Sequence, residues 1–232
     1  MGAYSGPEIN ESGLILCLDA GNTKSYPGSG TTWTDISRNG NNGTLTNGPT
    51  YSSANGGSLV FDGTNDWFST PLSIGDANTS FSWGGFVKVN VSTISSNFFL
   101  FGNYTETVTV PFFAIAFNNS GDNTFIYIRD STGNSEVFSG DTNLDLNSWY
   151  YLMGVRDAGA NQVKLYVNGE LRDTDTFAGS LNVKSTVNNF GGVKHFGGYI
   201  NCNIATVQLY NRALSASEVK QNFNALRGRF GL

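Results

Sequence analysis

Short runs dense in branched and aromatic residues recur along almost the whole chain, and turn signals cut off each one. They predict strands over 59–62, 67–69, 79–90, 97–103, 111–118, 124–129, 136–139, 148–157, 162–167, 187–192 and 204–210. Asp62-Gly63, Asn119-Ser120-Gly121, Thr132-Gly133-Asn134 and Asn168-Gly169 mark the breaks. Asn168-Gly169 sits between Tyr166-Val167 and Glu170-Leu171, the pattern of a type I′ hairpin turn, where both central residues need positive φ. One segment breaks the rhythm. Ser215 and Glu218 have capping-box spacing, and Val219, Phe223 and Leu226 follow at i, i+4 and i+7. A helix is expected over 216–226, ended by Gly228, with Arg227 and Arg229 at its negative end. Many short antiparallel strands with one C-terminal helix mean an all-β, two-sheet sandwich, because a sheet with one apolar face must cover it with another layer. Residues 20–58 read as a long Gly/Asn/Ser/Thr loop region holding short strands around Thr44-Leu45 and Pro49-Tyr51.

Composition agrees with this class and excludes others. At 232 residues the chain suits one all-β domain. Its 13% aromatic and 39% hydrophobic content is too high for disorder. A net charge of -5 and no basic face argue against nucleic acid. No apolar run is long enough to span a bilayer. The segment Met1–Ile9 has neither a basic start nor an apolar core, so it does not read as a signal peptide. Cys17 lies in the first strand and Cys202 near the last. A bridge between them is geometrically thinkable, but free buried thiols are expected without an export signal.

Several motifs together resemble the laminin-G-like, concanavalin A-like lectin/glucanase jelly rolls. They are Gly13-Leu-Ile-Leu-Cys-Leu-Asp19-Ala-Gly-Asn22, Asp35-Ile-Ser-Arg-Asn39-Gly40-Asn-Asn42-Gly43-Thr44, Leu59-Val-Phe61-Asp62-Gly63-Thr-Asn65-Asp66-Trp67, Trp149-Tyr-Tyr with Lys164-Leu-Tyr166-Val167-Asn168-Gly169, and the closing strand and helix. The resemblance implies a jelly-roll domain over 13–227, with an N-terminal arm over 1–12 and a C-terminal tail over 228–232. Two shorter strings, Ser25-Tyr26-Pro27-Gly28-Ser29-Gly30-Thr-Thr-Trp33-Thr-Asp35 and Gln221–Gly231, are similar to versions in structural proteins of tailed bacteriophages, cyanophages especially. The fold hosts enzymes, lectins and scaffolds alike, so function must come from the site.

The catalytic inventory is thin. Hydrolytic members of the resembled family carry acids at alternate positions of one strand, where alternation puts the general acid and the nucleophile on one face. The glutamates here are Glu8, Glu11, Glu106, Glu136, Glu170 and Glu218, and none is so placed within a mid-domain strand. Glu170 reads as a solvated turn residue, and His195, the only histidine, as a surface residue. No His/Cys metal spacing occurs. A structural Ca2+ is the one ion the resemblance would bring, through Asp19, Asp35, Asp62 and Asp66. Ala205-Thr206 stand where the family often has an acidic pair, and Asp62 and Asp66 also suit turns, so no cofactor is expected. Gly191-Gly192 and Gly197-Gly198 lack the helix and Lys of a phosphate loop and read as close strand packing.

For glycan contact the candidates are Asn103, Tyr104 and Trp67, aromatic faces beside amides near strand ends; Tyr26 and Trp33 are weighed and read as core. Docking to neighbouring subunits is expected through Tyr4, Ile9 and Phe230 in apolar grooves and through Arg227 and Arg229 on acids. The reading is a non-enzymatic, multi-copy virion protein, a capsid decoration or tail-associated module partnered by other virion proteins, with weak adhesion to host polysaccharide. The alternative is a carbohydrate-binding adhesion module of a bacterial surface or secreted protein. An unrecognised glycoside hydrolase ranks third.

Overall fold

The computed structural model describes residues 8–72, 79–90, 98–103, 112–117, 124–129, 135–139, 144–178, 190–192, 194–195 and 198–232. In chain order the strands are β1 (Leu14–Asp19), β2 (Thr32–Trp33), β3 (Gly43–Thr46), β4 (Thr50–Ser52), β5 (Ser58–Asp62), β6 (Trp67–Ser69), β7 (Phe81–Val89), β8 (Phe98–Asn103), β9 (Phe112–Phe117) and β10 (Thr124–Arg129). There follow β11 (Ser135–Ser139), β12 (Trp149–Asp157), β13 (Gln162–Val167), β14 (Glu170–Thr176), β15 (Phe190–Gly192), β16 (Lys194–His195), β17 (Gly198–Tyr199), β18 (Asn201–Ile204), β19 (Thr206–Tyr210) and the helix α1 (Ala216–Leu226).

Two antiparallel sheets form the sandwich. The first runs β14-β13-β12-β7-β18-β5-β4, with β19 also on β7 and β1 on β19; the second runs β11-β10-β9-β8-β15-β6-β3-β2. One core lies between the sheets, built from Leu16, Leu18, Trp33, Phe61, Phe68, Trp83, Phe113, Ile115, Leu152, Ile204 and Leu209 among others. A second apolar layer covers the outer face of the first sheet: Phe86, Trp149, Tyr151, Met153 and Tyr210 against Val219 and Phe223 of α1 and against Phe230. The architecture is therefore sheet, sheet and helix, as patterning implied.

The expected strand 204–210 divides at Ala205. Residues of β18 pair with the Val87–Val89 end of β7, and β19 with the Ser82–Gly84 end. At the break, Ala205 N donates to Phe86 O, Ala205 O accepts from Ala20 N, and Thr206 Oγ1 accepts from Phe86 N. Thr206 thus closes the ladder with its hydroxyl as acceptor. Opposite the break, a Cβ on Gly85 would lie 1.8 Å from Thr206 O, so only glycine admits this approach.

The Asp35 motif protects the edge of β1. The buried Asp35 carboxylate accepts from Cys17 N at 2.9 Å, Ser37 N at 2.9 Å, Ser37 Oγ at 2.9 Å and Asn41 N at 3.0 Å. Asn41 Nδ2 donates to Ile15 O and Asn39 Nδ2 to Leu14 O. A loop held this way occupies backbone groups that an open edge would offer to another chain.

The turn at Asn168-Gly169 has φ of 52° and 78°, as a type I′ turn requires. The following strand, β14, went unpredicted beyond Leu171 because Glu170–Thr176 has no apolar alternation. It is an edge strand, and Glu170 pairs with Lys220 of α1 instead of standing free in the turn. The helix spans Ala216–Leu226 with the capping box formed: Glu218 N donates to Ser215 Oγ and Ser215 N to Glu218 Oε2. Its bounds are as expected, but what terminates it differs. A 3-10 turn, Arg227–Arg229, follows directly, and the nearby left-handed glycine is Gly231 at φ 72°, not Gly228.

The terminal segments also differ from free arms. Asn10 N donates to Asn222 Oδ1, Gln221 Nε2 to Glu8 O, Tyr210 OH to Asn10 O and Arg212 Nε to Ser12 O. Phe230 is buried, stacked on Phe86 at 4.3 Å and tilted against Trp149 at 4.6 Å. Residues 8–12 and the tail through Phe230 therefore pack as parts of the domain. The two cysteines are free: Cys17 faces the outer side of the first sheet opposite Gln208, while Cys202 faces the core between the sheets.

Candidate functional site

The outer face of the second sheet carries a continuous row. Register places Thr32 opposite Thr44, Thr44 opposite Ser69, Ser69 opposite Gly191, Gly191 opposite Gly102, Gly102 opposite Ala114 and Ala114 opposite Tyr127. Residues directly opposite in antiparallel strands share a face. It is the face away from the core, because Leu45, Phe68, Phe113, Ile115, Ile126 and Ile128, which alternate with these residues, are all core. Six interstrand steps of ~4.8 Å make the row about 29 Å long. Every position in it is uncharged, and all but Tyr127 are small.

Local sequence explains the low floor. A Cβ on Gly102 would lie 2.2 Å from Phe113 O, so the approach of β8 to β9 admits only glycine. A register shift between Phe99 and Phe101 puts both Leu100 and Phe101 into the core and returns Gly102 to the outer face. Beside the row stand half-buried aromatic rings. Phe99 and Tyr127 stack at 5.8 Å with an interplanar angle of 23° across β9, where Ala116 and Ala114 are their cross-strand neighbours. Trp67 lies next to Ser69 on the same face, opposite Thr46. Hydroxyls of Thr32, Thr44, Thr46 and Ser69, with amphipathic rings alongside, make a surface for a ligand with both hydroxyls and apolar faces.

Of the three expected glycan contacts, Trp67 is on this face. Asn103 ends β8, paired with Phe190 and adjacent to Gly102. Tyr104 lies outside the described residues, as does Tyr4 among the expected docking positions. Tyr26 and Trp33 are core, as read. Phe99, Tyr127, Ser69, Thr44, Gly102 and Gly191 were missed as site residues. The alternation in Thr124-Phe-Ile-Tyr-Ile-Arg129 signalled two faces, but not what the far face meets. The other docking positions are engaged within the chain: Arg229 Nη1 bridges both Asp19 carboxylate oxygens at 2.9 Å, Arg227 Nη1 donates to Leu232 O, and Phe230 is core. Phe230 and Arg229 are thus engaged within the domain, while Arg227 is exposed. Ile9 is half-buried at a cleft on the opposite sheet.

The carboxylates of the motifs do structural work. Asp62 Oδ1 accepts from Thr64 N at 2.7 Å, which holds its carboxyl below the usual range. Asp66 accepts from Asp62 N and is raised by burial. These are turn contacts. Among the described residues, no group of three or more His, Cys, Asp or Glu is arranged to hold a metal ion. His195 sits on β16 opposite Gly198. No helix among the described residues is long and apolar enough to cross a membrane.

No curated protein sequence matches the chain. Solved structures do. Domain 4 of AbnA, an extracellular GH43 arabinanase from Geobacillus stearothermophilus solved with arabinotriose, aligns at TM-score 0.70 and 17% identity, over 93% of this chain and 100% of that one. The binding domain of Paraclostridial Mosquitocidal Protein 1 aligns at TM-score 0.72 and 14% identity, over 92% of this chain and 52% of that one. The ligand-binding domain of botulinum neurotoxin serotype D, solved with N-acetylneuraminic acid, gives TM-score 0.69 and 12% identity, over 92% and 51%. The chain thus spans the whole arabinanase domain and about half of each toxin domain. At these identities the likeness establishes the fold alone. A family profile matches residues 62–220, more than half of the sequence, so the chain belongs to the concanavalin A-like lectin/glucanases superfamily, in its laminin-G-like branch.

Proposed function

We propose that this domain is a non-catalytic carbohydrate-binding module that lays a neutral, extended polysaccharide along the outer face of the second sheet. The uncharged row from Thr32 to Tyr127 carries the reading. The hydroxyls of the exposed Thr32 and Thr44 and of half-buried Ser69 exchange hydrogen bonds with sugar hydroxyls, and the half-buried Trp67, Phe99 and Tyr127 offer ring faces, while Gly102 and Ala114 are buried beneath that surface. An acidic glycan would find no cation in the row. Two structural neighbours were solved with a saccharide, the neutral arabinotriose and the acidic N-acetylneuraminic acid, which supports a saccharide as ligand, the first of them a neutral one. The described motif acids are occupied by turns and backbone donors, which supports binding without hydrolysis.

A role as a virion structural module, displayed on a particle and touching host polysaccharide, is the second reading. The strings 25–35 and 221–231 favour it by their similarity to phage structural proteins. An extracellular or cell-surface adhesion module suits the same binding face. Affinity electrophoresis in gels of neutral polysaccharides tests the proposal. Retardation should occur with at least one neutral polymer and fall with Trp67→Ala and with Ser69→Phe, which raises the floor. Retardation equal in the variants, or release of reducing sugar on incubation, sinks it.

A further inference from the structure

Five Asn-Gly pairs occur in the chain, Asn39-Gly40, Asn42-Gly43, Asn47-Gly48, Asn55-Gly56 and Asn168-Gly169. In such a pair the backbone nitrogen reaches the preceding side-chain amide most readily, because glycine has no Cβ to hinder the approach and bends freely. Folding sorts the five. Gly43 and Gly169 are buried, and Asn42 Oδ1 and Asn168 Oδ1 accept from Asp35 N and Tyr151 N. The other three glycines are exposed. Beside them, Asn39 Nδ2 donates to Leu14 O and to Ser37 O and Oγ. Asn55 Oδ1 accepts from Trp149 Nε1, its Nδ2 donates to Arg229 O, and a Cβ on Gly56 would lie 3.1 Å from Arg229 Nε. Asn47 is held least. It is exposed, and its side chain makes one hydrogen bond among the described residues, Nδ2 to Asn65 O at 2.8 Å. A Cβ on Gly48 would meet nothing within 4 Å.

That single bond has a place in the fold. Asn47 follows Thr46, the β3 residue opposite Trp67. Asn65 belongs to the turn that leads into Trp67, where Asp62 Oδ1 accepts from Thr64 N and Asp66 Oδ2 from Asp62 N. Asn47 therefore ties the end of β3 to the turn before β6.

We propose that Asn47-Gly48 is a self-modifying site whose reaction loosens the turn before Trp67. The Gly48 nitrogen bonds to Cγ of Asn47 as the Cγ–Nδ2 bond breaks, and the Gly48 amide proton leaves with Nδ2 as ammonia. One water then opens the cyclic imide to aspartate or isoaspartate, and water is the only co-reactant. The product carries a carboxylate where Nδ2 donated. An acceptor then faces the Asn65 carbonyl, and a further negative charge joins Asp62 and Asp66 at one turn. The bearing on carbohydrate binding, through Trp67, rests on the function proposed above; the chemistry does not.

Native protein held in mildly alkaline buffer and mapped by peptide mass spectrometry gives a conversion rate for each pair. Asn47 should convert first, about fivefold or more ahead of Asn39 and Asn55, which each have at least one more hydrogen bond to break before the amide can turn. In urea that lead should disappear. Asn47→Asp, which makes one product directly, should speed hydrogen exchange at the Asp62 and Thr64 amides by about fivefold, the effect of losing one hydrogen bond, and leave exchange at Leu152 in β12 unchanged. A different pair leading in the native state, a lead that persists in urea, or unchanged exchange in Asn47→Asp overturns the proposal. No readout uses a polysaccharide, so this outcome stands apart from gel retardation.

Discussion

Replacing Glu218 by Gln should destabilise the domain at neutral pH and leave it untouched in strong acid. Glu218 accepts from Arg212 Nη1 at 2.9 Å and Nη2 at 2.7 Å, from Ser215 N at 2.8 Å and from Asn10 Nδ2 at 3.0 Å. One carboxylate thus ties the N-terminal segment, the end of the last strand and the first turn of α1. The Arg212 guanidinium, with help from Ser215, holds its carboxyl down from 4.5 to about 2. Taken at face value a shift of that size corresponds to ~3 kcal/mol. The side chains of the pair are 29% and 25% exposed, so solvent screening reduces the figure to about 1–2 kcal/mol. Glutamine keeps the shape and can still serve the capping box, so the variant isolates the charge. Because the folded-state value is depressed, the stabilisation is complete above the unfolded value of 4.5 and is lost as pH falls through the folded value of about 2. Urea unfolding followed by tryptophan fluorescence, for wild type and Glu218→Gln over a pH series, measures this. The difference should be about 1–2 kcal/mol near neutrality, a lowering of Tm by roughly 2–8 °C, and should vanish toward the acid end. A difference that stays constant across the series would refute the linkage argument.

Phe230→Ala should cost about 3 kcal/mol in the same unfolding assay, since it removes a ring stacked on Phe86 and packed on Trp149; a change near zero would return the tail to the solvent. Cys17 and Cys202 should resist a thiol reagent in native buffer near pH 8 and react only on unfolding, because a thiol pushed up to about 12 holds on the order of one thiolate in ten thousand there; rapid native labelling contradicts the burial. Asp35→Asn should destabilise the protein by about 2 kcal/mol and speed hydrogen exchange at Cys17 and Asn41, whose N–H groups it accepts; unchanged exchange would mean the loop holds the β1 edge without it.

Local chemistry was legible in the sequence where a few adjacent residues decide a structure. The capping box with Val219, Phe223 and Leu226 placed the helix at both ends, and Asn168-Gly169 fixed its turn. Most strands of both sheets were legible from their apolar density, though not the short β2 or the polar Asn201-Cys202-Asn203 start of β18. Three further things were not. Phe230 stands alone between Arg229 and Gly231, with no period to mark it as core, and only the three-dimensional position of Phe86 and Trp149 gives it a place. Strand β14 is polar on both faces because it is an edge, so alternation is silent there. The binding face depends on the register of seven strands far apart in sequence. Gly102 and Gly191 acquire meaning only once β8 and β15 are known to be neighbours. Trp67 was legible as a candidate because it follows the amide and carboxylate of Asn65-Asp66 at a turn; Phe99 and Tyr127 looked like any other core aromatics.

Amide chemical-shift mapping with a neutral linear oligosaccharide that retards the protein tests the central claim most directly. Thr44, Trp67, Ser69, Gly102, Gly191 and Tyr127 should shift together and saturably, while Val207 and Gln208 on the opposite sheet should not move. Shifts confined to the first sheet, or none on the second, would contradict the assignment of that face as the carbohydrate site.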